Sequence, residues 1–434
     1  MAQKKESRTQ EMQLAAAKIP AEAWPYALPE GWTWVRLGKI TRNHGQKKPD
    51  HDFTYIDIGS IDNEHQQLGS IENRLSPEDA PSRARKIVKK GDILYSTVRP
   101  YLHNMCRITQ DITPEPIAST GFAVLSPTEE VDGAFLFEFL RTQMMDAYAN
   151  DPLNARGINY PAIQERVLLQ APVPLPPLAV QKNLVRRIES LFSKLDVVAE
   201  KIDAADAAFV AQKNALLHAA FDGTLTEAWR EKNGTDRSWT MTPIKALCKR
   251  LQYGTAKKSE KAGKLPVVRM GNLQDGEILW DDLVYSNDED DIKKYLLHDG
   301  DVLFNRTNSA ALVGKTSIYR GQQPAIFAGY LIRLDYDKER ILGDFLNYAL
   351  NTVDAKNYCH QVKVDGVNQS NINAQKIGAY QIPLPPLSEQ REIVRCLDAL
   401  LGRLTRARAA VGEARAQIAS LRTSILARAF RGEL

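Results

Sequence analysis

The sequence predicts a mixed α/β fold in which two similar globular units are joined by two long helices. Three observations predict it: a repeat at constant offset, a long heptad pattern in each copy, and strand-like runs between those patterns. The chain has 434 residues, 43% of them hydrophobic, which suffices for two or more domains with buried cores. A single compact domain is therefore not expected.

The repeat is most evident in a proline-rich motif that occurs twice. Pro174-Leu-Pro-Pro-Leu178, followed by Gln181, recurs 383 minus 174, or 209, residues later as Pro383-Leu-Pro-Pro-Leu387, followed by Gln390. A constant offset through most of the chain indicates an internal duplication. Further matches at this offset are Asn159 with Asn368, Ile163 with Ile372, Gly91-Asp-Ile-Leu94 with Gly300-Asp-Val-Leu303, and Ala220-Phe221 with Ala429-Phe430.

The two copies are related circularly. Glu227-Ala-Trp229 resembles Glu22-Ala-Trp24, and Leu434 corresponds to Leu225 within the first copy. The continuation of the second copy therefore stands at the start of the chain. We expect the two termini to lie close together and the molecule to have an approximate two-fold axis.

A heptad pattern follows each proline-rich motif. Apolar residues alternate at spacings of four and three from Leu184 to Leu216, where the polar Gln212 interrupts the series, and from Ile393 to Ile425. A 3.5-residue period is typical of a coiled coil. We expect two helices of about 40 residues, roughly 60 Å long, that pair antiparallel and act as a spacer. The alternative is that both helices merely bury the core of an ordinary domain.

Strand-like runs of β-branched and aromatic residues fill the remainder of each copy. Short helices are predicted at Gly133 to Ala147 and Leu342 to Val353. The predicted strands are 53–58, 93–98 and 122–125 in the first copy and 266–269, 302–304 and 330–334 in the second. The predicted boundaries are an N-terminal arm at 1–26, a first domain at 27–176, a central helix at 177–220, a linker at 221–238, a second domain at 239–385 and a C-terminal helix at 386–431.

Composition limits the classes of function. Lys plus Arg, 57, barely exceeds Asp plus Glu, 53, so any phosphate-binding surface must be local. The four cysteines are scattered without a Cys-x-x-Cys pair, which argues against zinc and disulfides, and we expect them to be reduced and buried. No apolar run reaches the roughly 18 residues of a membrane span, so a cytoplasmic location is expected.

Motifs for catalysis are missing from the sequence. There is no Asn-Pro-Pro-aromatic methyltransferase motif and no Gly-x-Gly dinucleotide fingerprint. Ser309 to Thr316 ends like a phosphate-binding loop, Gly-Lys-Thr, but has serine where the first glycine belongs. Asp291-Ile-Lys293 is interpreted as a solvated charge run rather than part of a nuclease site. We predict no catalytic, cofactor-binding or metal-binding residues.

Three clusters suited to DNA contacts recur at corresponding positions of both copies. Lys and Arg can contact phosphates, while Asn, Gln and Arg can pair with base edges in the major groove. The first cluster is a basic loop before the first strand, the second follows the Gly-Asp-Ile/Val-Leu strand, and the third precedes the proline-rich motif. In the first copy they are Asn43, Gln46, Lys47 and Lys48; Ser96, Arg99, Tyr101 and Asn104; and Asn159 and Tyr160. In the second copy they are Arg250, Gln252, Tyr253, Lys257 and Lys258; Asn305, Arg306 and Asn308; and Asn368, Gln369 and Asn371.

This layout resembles the specificity subunit of Type I restriction-modification enzymes over nearly the full chain. The resemblance lies in Leu28-Pro-Glu-Gly-Trp-Thr-Trp34, in both Gly-Asp-Ile/Val-Leu strands, in both Pro-Leu-Pro-Pro-Leu-x-x-Gln starts, and in Gly223-Thr-Leu-Thr-Glu-Ala-Trp-Arg230. The second copy departs at its entry, where Asp236-Arg-Ser-Trp239 lacks the Leu-Pro lead.

The resemblance implies a non-catalytic subunit with two target-recognition domains, each reading half of a bipartite double-stranded DNA site. It implies two modification subunits that bind S-adenosylmethionine and methylate adenine, and two restriction subunits that use ATP and magnesium. The helices would then set the gap and dock the methyltransferases. The rival interpretations are a coiled-coil scaffold whose two globular units bind proteins or small ligands, and a self-contained nuclease or methyltransferase.

Overall fold

A computed structural model describes residues 18–69, 73–157, 159–237, 239–367 and 369–434. Contacts between Cα atoms divide the chain into two compact units. Unit 1 comprises Met1–Ile202 and Glu413–Leu434, and unit 2 comprises Asp203–Gly412. Each unit thus combines one globular region with a part of both long helices.

The two predicted long helices are present, each 44 residues long. The central helix is Leu178–Phe221 and the C-terminal helix is Leu387–Phe430. Most of the predicted heptad side chains are buried or half-buried, but Val198, Ala407 and Leu421 are exposed. The strict heptad prediction is wrong at these three positions, because the globular regions also determine which helix face is covered. The hydrophobic cores of the globular regions also include four helix residues outside the predicted series: Val185, Phe192, Leu217 and Ala220.

Within each unit the two helix segments run antiparallel. In unit 1, Arg422 of the C-terminal helix pairs with Asp196 of the central helix. Phe430, at the end of the C-terminal helix, and Gln181, near the start of the central helix, both contact residues 132–139. In unit 2, Arg408 of the C-terminal helix lies 3.7 Å from Asp206 of the central helix. Phe221, at the end of the central helix, and Gln390, near the start of the C-terminal helix, both contact residues 342–345. The predicted antiparallel pairing is therefore observed inside both units.

In its described residues, unit 1 has fourteen short strands and three short α-helices besides its parts of the two long helices. The helices are α1 (Gly133–Leu140), α2 (Gln143–Asn150) and α3 (Glu165–Leu168). The strands are β1 (Thr33–Arg36), β2 (Thr41–Arg42), β3 (Phe53–Ile56), β4 (Ile61–Asp62), β5 (Gln67–Leu68), β6 (Arg74–Leu75), β7 (Ala84–Ile87), β8 (Ile93–Ser96), β9 (Met105–Arg107), β10 (Pro116–Ser119), β11 (Phe122–Pro127), β12 (Ala155–Arg156), β13 (Ala162–Ile163) and β14 (Pro172–Leu175).

The described residues of unit 2 form fourteen strands and six short α-helices besides its parts of the two long helices. The helices are α4 (Glu227–Asn233), α5 (Ile244–Leu247), α6 (Glu289–Tyr295), α7 (Gly343–Leu350), α8 (Val353–Val362) and α9 (Ala374–Ala379). The strands are β15 (Thr240–Pro243), β16 (Cys248–Tyr253), β17 (Leu265–Val268), β18 (Leu273–Gln274), β19 (Glu277–Ile278), β20 (Val284–Ser286), β21 (Val302–Asn305), β22 (Thr307–Asn308), β23 (Thr316–Ile318), β24 (Ile326–Phe327), β25 (Leu331–Tyr336), β26 (Val364–Asp365), β27 (Ser370–Asn371) and β28 (Gln381–Leu384).

A four-stranded antiparallel sheet is repeated in both units. Its order is β2-β11-β8-β9 in unit 1 and β16-β25-β21-β23 in unit 2, so the Gly-Asp-Ile/Val-Leu strands β8 and β21 are equivalent. A second sheet also repeats the parallel pairs β3 with β10 and β17 with β24. There the units differ, because β7 pairs with β10 in unit 1, whereas helix α6 contacts β24 in unit 2.

Two of the predicted helices are each broken into two. The predicted helix from Gly133 to Ala147 is α1 followed by α2, and the one from Leu342 to Val353 is α7 followed by the start of α8. The break occurs where a threonine side chain caps the second helix. Thr142 accepts a hydrogen bond from the Met145 amide, and Thr352 accepts one from the Ala355 amide. Threonine competes with the helix for backbone partners and is favoured at such N-caps.

The glutamine of each Pro-Leu-Pro-Pro-Leu-x-x-Gln motif joins a long helix to its globular region. Gln181 Oε1 accepts from the Asp132 amide, and its Nε2 donates to the Glu130 and Pro176 carbonyls. Gln390 makes the same three bonds, to the Leu342 amide and the Arg340 and Pro385 carbonyls. Both side chains are fully buried. The duplicated motif is thus a structural joint in which a buried amide uses both of its donor hydrogens and one of its two oxygen lone pairs.

The end of the C-terminal helix packs against residues of unit 1 that include Tyr26. Phe430 lies between Phe135 and Phe139, at ring-centroid distances of 5.1 and 5.2 Å, and its carbonyl accepts from the Tyr26 hydroxyl. This agrees with the circular relation of the copies, although the first 17 residues lie outside the described part. Within the described residues, no helix combines the length and hydrophobicity needed to cross a membrane.

Candidate nucleic-acid interface

The first cluster of unit 1 lies on the loop between β2 and β3. Asn43, Gln46 and Lys48 are exposed, whereas Lys47 is half-buried. Lys47 Nζ lies 2.5 Å from Glu115 Oε2, and this hydrogen bond raises the pKa of Lys47. Lys47 therefore stays charged but shares its charge with a carboxylate. Lys48 and the two amides are the groups more available to a ligand.

A buried carboxylate anchors this loop to the repeated strand β8. Asp92 accepts from the Lys89 amide at 2.7 Å, and its Oδ1 lies 3.2 Å from His44 Nε2. Ser126 donates to the same carboxylate and also contacts His44. Because His44 and Ser126 meet one carboxylate oxygen, histidine does not separate serine from aspartate as in a hydrolase triad. The arrangement therefore positions the loop.

The second and third clusters of unit 1 lie together. The Arg99 amide donates to the Pro161 carbonyl at 2.7 Å, and Arg99 Nη2 lies 3.4 Å from the Asn159 carbonyl. The Arg99 guanidinium stacks on the exposed Tyr160 ring, 4.1 Å from its centroid. Tyr101 is also exposed. Arg99 has a φ of +49°, a left-handed conformation that is uncommon outside glycine and here turns the loop.

Ser96 and Asn104 are buried, which argues against direct DNA contacts by their side chains. Ser96 Oγ donates to the Val98 carbonyl at 2.8 Å, and the Asn104 carbonyl accepts from the Ser96 amide. The structure therefore corrects both predictions. The Gly-Asp-Ile-Leu strand continues two residues beyond its motif, to Ser96, and takes Ser96 into the core of the sheet.

The first cluster of unit 2 is mostly strand rather than loop. Arg250, Gln252 and Tyr253 belong to β16, which pairs with β25, so the prediction of a loop is wrong for these residues. Arg250 Nε lies 3.1 Å from Asp335 Oδ2, and Gln252 Oε1 accepts from Arg333. Both side chains therefore have partners inside the protein.

Lys257 and Lys258 follow this strand and are exposed. Lys257 Nζ lies 2.6 Å from Asp288 Oδ2, and this hydrogen bond raises the pKa of Lys257. Asp291, interpreted above as part of a solvated charge run, is instead buried and accepts from the Thr255 hydroxyl. The hydrogen bond from Thr255 compensates for the burial of the Asp291 carboxylate. Asp291 therefore holds in place the loop that carries the two lysines.

All three clusters of unit 2 come together around Arg306. Its guanidinium lies 5.1 Å from the centroid of the Tyr253 ring, and its carbonyl accepts from the Ile372 amide. Asn371 accepts from the Thr307 hydroxyl at 2.6 Å through the β22–β27 pairing.

The other predicted residues of unit 2 differ in their accessibility. Gln369 is exposed, and Asn308 is half-buried and accepts from the Ser309 amide. Asn305 is fully buried and accepts from the Thr307 amide, so a direct DNA contact is contradicted by its position at the end of β21. Asn368 lies outside the described residues.

The two units share an arginine stacked on an exposed tyrosine after the repeated strand, a feature that the sequence did not indicate as a pair. Arg99 and Tyr160 are 160 minus 99, or 61, positions apart in the chain. Arg306 and Tyr253 are 306 minus 253, or 53, positions apart. Nε of each arginine is buried without a hydrogen-bond partner. One terminal nitrogen of Arg99 lies 3.4 Å from the Asn159 carbonyl, and one of Arg306 lies 3.5 Å from the Gly329 carbonyl. The remaining N–H groups of the terminal nitrogens are therefore the ones able to donate outward. Stacking on an aromatic ring preorganises the planar guanidinium.

Other polar groups considered in the sequence serve internal roles. Lys315 Nζ donates to Gln274 Oε1 at 2.8 Å, and Thr316 is buried in β23. Both polar residues of the Gly-Lys-Thr tripeptide therefore have structural roles inside unit 2. Within the part of the chain that is described, no group of three or more His, Cys, Asp or Glu side chains could hold a metal ion.

The cysteines are free thiols. Cys106 and Cys359 are buried, but Cys248 and Cys396 are only partly buried, which corrects the expectation for these two. Cys248 begins the edge strand β16, and Cys396 lies on the C-terminal helix beside the exposed Arg395. Burial raises the pKa of Cys106 to about 12, so this thiol stays protonated.

The repeated sheets and the stacked arginine of each unit define a protein built from two copies of one domain. The chain belongs to the family described as Type I restriction modification DNA specificity domain, whose family model matches residues 29–205 and 237–411. Both repeats are thus covered by separate matches to the same domain.

Curated relatives and solved structures agree with this family. The Type I restriction enzyme StySPI specificity subunit of Salmonella potsdam is 31% identical over 266 residues, 60% of this chain and 57% of that protein. The EcoKI specificity subunit of Escherichia coli (strain K12) is 27% identical over 72% of this chain and 68% of its own. The chain therefore matches less than two thirds of the length of the StySPI subunit.

Two solved structures match over 94% of this chain. The crystal structure of the HsdS subunit from Thermoanaerobacter tengcongensis has 26% identity and a TM-score of 0.57, with 99% of that chain covered. A structure from work on complex assembly and conformational transition of the type I R-M system has 25% identity and a TM-score of 0.72, with 100% of that chain covered.

Proposed function

We propose that this chain is a non-catalytic specificity subunit in which each unit recognises one half of a bipartite double-stranded DNA site. The observation that carries the proposal is the stacked arginine after the repeated strand of both units, beside exposed polar residues. Arginine pairs bidentately with guanine O6 and N7 in the major groove. The scaffold sheet is the same in both units while the surrounding residues differ, which suits two unlike half-sites.

The proposal includes partners that supply the chemistry. Two modification subunits would bind S-adenosylmethionine and methylate adenine, and two restriction subunits would use ATP and magnesium to translocate and cut. This chain would bind none of these cofactors and would work in the cytoplasm, where the DNA is. The family membership and the solved relative from a type I complex support these partners.

The test is to co-express the chain with the modification subunit from the same source and to sequence the adenine methylation deposited on DNA. Methylation at one bipartite motif with a constant gap is the expected result. A stable complex that methylates without sequence preference, or a chain without salt-dependent DNA affinity in that complex, would favour the scaffold interpretation instead. Methyl transfer by the purified chain alone would show that it is itself an enzyme.

A further inference from the structure

The two units have equivalent two-stranded sheets, each formed by the entry strand and the proline-rich strand. β1 pairs with β14 in unit 1, and β15 pairs with β28 in unit 2. The register is the same, because Trp34 lies opposite Pro174 and Met241 lies opposite Pro383. Trp34 and Met241 are therefore equivalent positions on the two sheets.

In unit 1 the chain itself covers this position with residues 18–26, which we call the covering segment. The Ile19 amide donates to the Trp34 carbonyl at 2.8 Å, which adds one strand-like bond to the outer edge of β1. Tyr26 packs edge-on against Trp34 with ring centroids 4.8 Å apart, and its hydroxyl donates to the Phe430 carbonyl at 2.9 Å. Trp34 is 0% exposed as a result.

In unit 2 the equivalent face is open. Met241 is 60% exposed, and among the described residues no strand pairs with the outer edge of β15. Met241, Pro383 and Phe221 line a groove of about 720 Å³. Phe221 is the repeat equivalent of Phe430, so the groove is bounded by the same two positions that Tyr26 bridges in unit 1.

The chain that enters β15 follows another path: its Arg237 lines the groove, but Met241 stays 60% exposed. Arg230 Nη1 lies 2.6 Å from Glu389 Oε1, and the Trp239 indole donates to Glu389 Oε2 at 2.9 Å. Thr226 donates to the same buried carboxylate. Position 180, the repeat equivalent of Glu389, is a valine in the first copy. The linker of unit 2 is therefore held at the start of the C-terminal helix instead of along the edge of β15.

We propose that this groove binds an extended segment of a partner protein, which adds as a strand to the outer edge of β15. Its main-chain amide would donate to the Met241 carbonyl, and an aromatic side chain a few residues later would cover Met241 and reach Phe221. Strand addition to an exposed sheet edge is a common mode of peptide recognition. The covering segment shows this chemistry in unit 1. Because that segment is already placed there, the strand in unit 2 comes from another polypeptide.

A fluorescent peptide with the sequence of residues 18–26 serves as the probe for the full-length chain. We expect saturable binding that Met241→Glu weakens at least tenfold, since a carboxylate would be placed under the aromatic ring. Leu279→Glu is the matched control, because Leu279 is an exposed apolar residue of unit 2 that does not line the groove, and it should leave the affinity unchanged. Circular dichroism confirms that both variants are folded.

Four outcomes would overturn the proposal. The first is no binding to the wild-type chain, and the second is binding that Met241→Glu leaves intact, which places the peptide in unit 1. The third is self-association of the chain that Met241→Glu abolishes, which identifies a second copy as the occupant. The fourth is a tenfold gain in peptide affinity on deletion of residues 1–17, which identifies the chain's own N-terminal residues. None of these readouts depends on DNA recognition.

Discussion

Arg99 and Arg306 are the residues to which we assign base recognition under the proposed function. Each guanidinium is held on a tyrosine ring with its terminal nitrogens directed away from a buried Nε. Their planar shape matters as much as their charge, because a lysine in the same place could attract a phosphate but could not form two parallel bonds to guanine.

Arg99→Lys should therefore relax the methylated motif at one position of one half-site and leave the other half-site unchanged. Arg306→Lys should do the same for the other half-site. The loss of discrimination is expected to be about 1–3 kcal/mol per position, measured from methylation frequencies at single-base variants. Arg186→Lys, on the exposed face of the central helix, is the control. An unchanged motif with a smaller salt slope would mean that the arginine contacts phosphate instead.

Lys356 gives the molecule a pH dependence that can be measured. Burial lowers the pKa of Lys356 from 10.5 to about 8, and its ammonium donates to the Gly314 carbonyl at 2.7 Å. Between pH 8 and 10.5 the unfolded chain binds more protons at this residue than the folded one. The free energy of unfolding contributed by this group therefore rises with pH over that window.

Lys356→Met removes this contribution. The stability of the variant relative to the wild type should fall as the pH is raised from 7.5 to about 9.5, because only the wild type gains stability from deprotonation. Urea unfolding at several pH values measures the difference. A difference that stays constant across this range would show that Lys356 is not shifted.

At the scale of elements, the two glutamine joints connect each long helix to its globular region. Gln181→Ala and Gln390→Ala each remove three hydrogen bonds of a buried side chain and leave backbone groups unpaired. The expected loss is about 3 kcal/mol in the free energy of unfolding. Gln212→Ala, on the exposed face of the central helix, should change it by less than about 0.5 kcal/mol. Equal effects of all three changes would contradict the role assigned to the motif.

At the scale of the whole molecule, both long helices pass without interruption from one unit to the other. Deletion of one heptad from each, within 198–204 and 405–411, shortens both by about 10 Å at 1.5 Å per residue. If the helices set the gap in the DNA site, the gap should shorten by about three base pairs, at 3.4 Å each. Methylation sequencing of the deletion variant measures the gap. An unchanged gap with retained methylation would end the spacer interpretation.

The sequence by itself determined the architecture. The repeat, the two heptad patterns and the strand-like runs depend on spacing along the chain, and spacing is what local backbone geometry turns into helices and strands. The family resemblance rested on the same ordered motifs. The sequence also indicated which segments carry the polar clusters, and it included Arg99, Tyr160, Tyr253 and Arg306 among them.

Only the tertiary structure decided which side chains of those clusters are available. Ser96, Asn104 and Asn305 have suitable chemistry but are buried, while Arg250 and Gln252 lie on a paired strand with internal partners. The pairing of each arginine with its tyrosine, and the contrast between a covered Trp34 and an open Met241, also required the fold. The physical reason is that burial and contact depend on residues distant in the chain, which sequence spacing alone does not bring together.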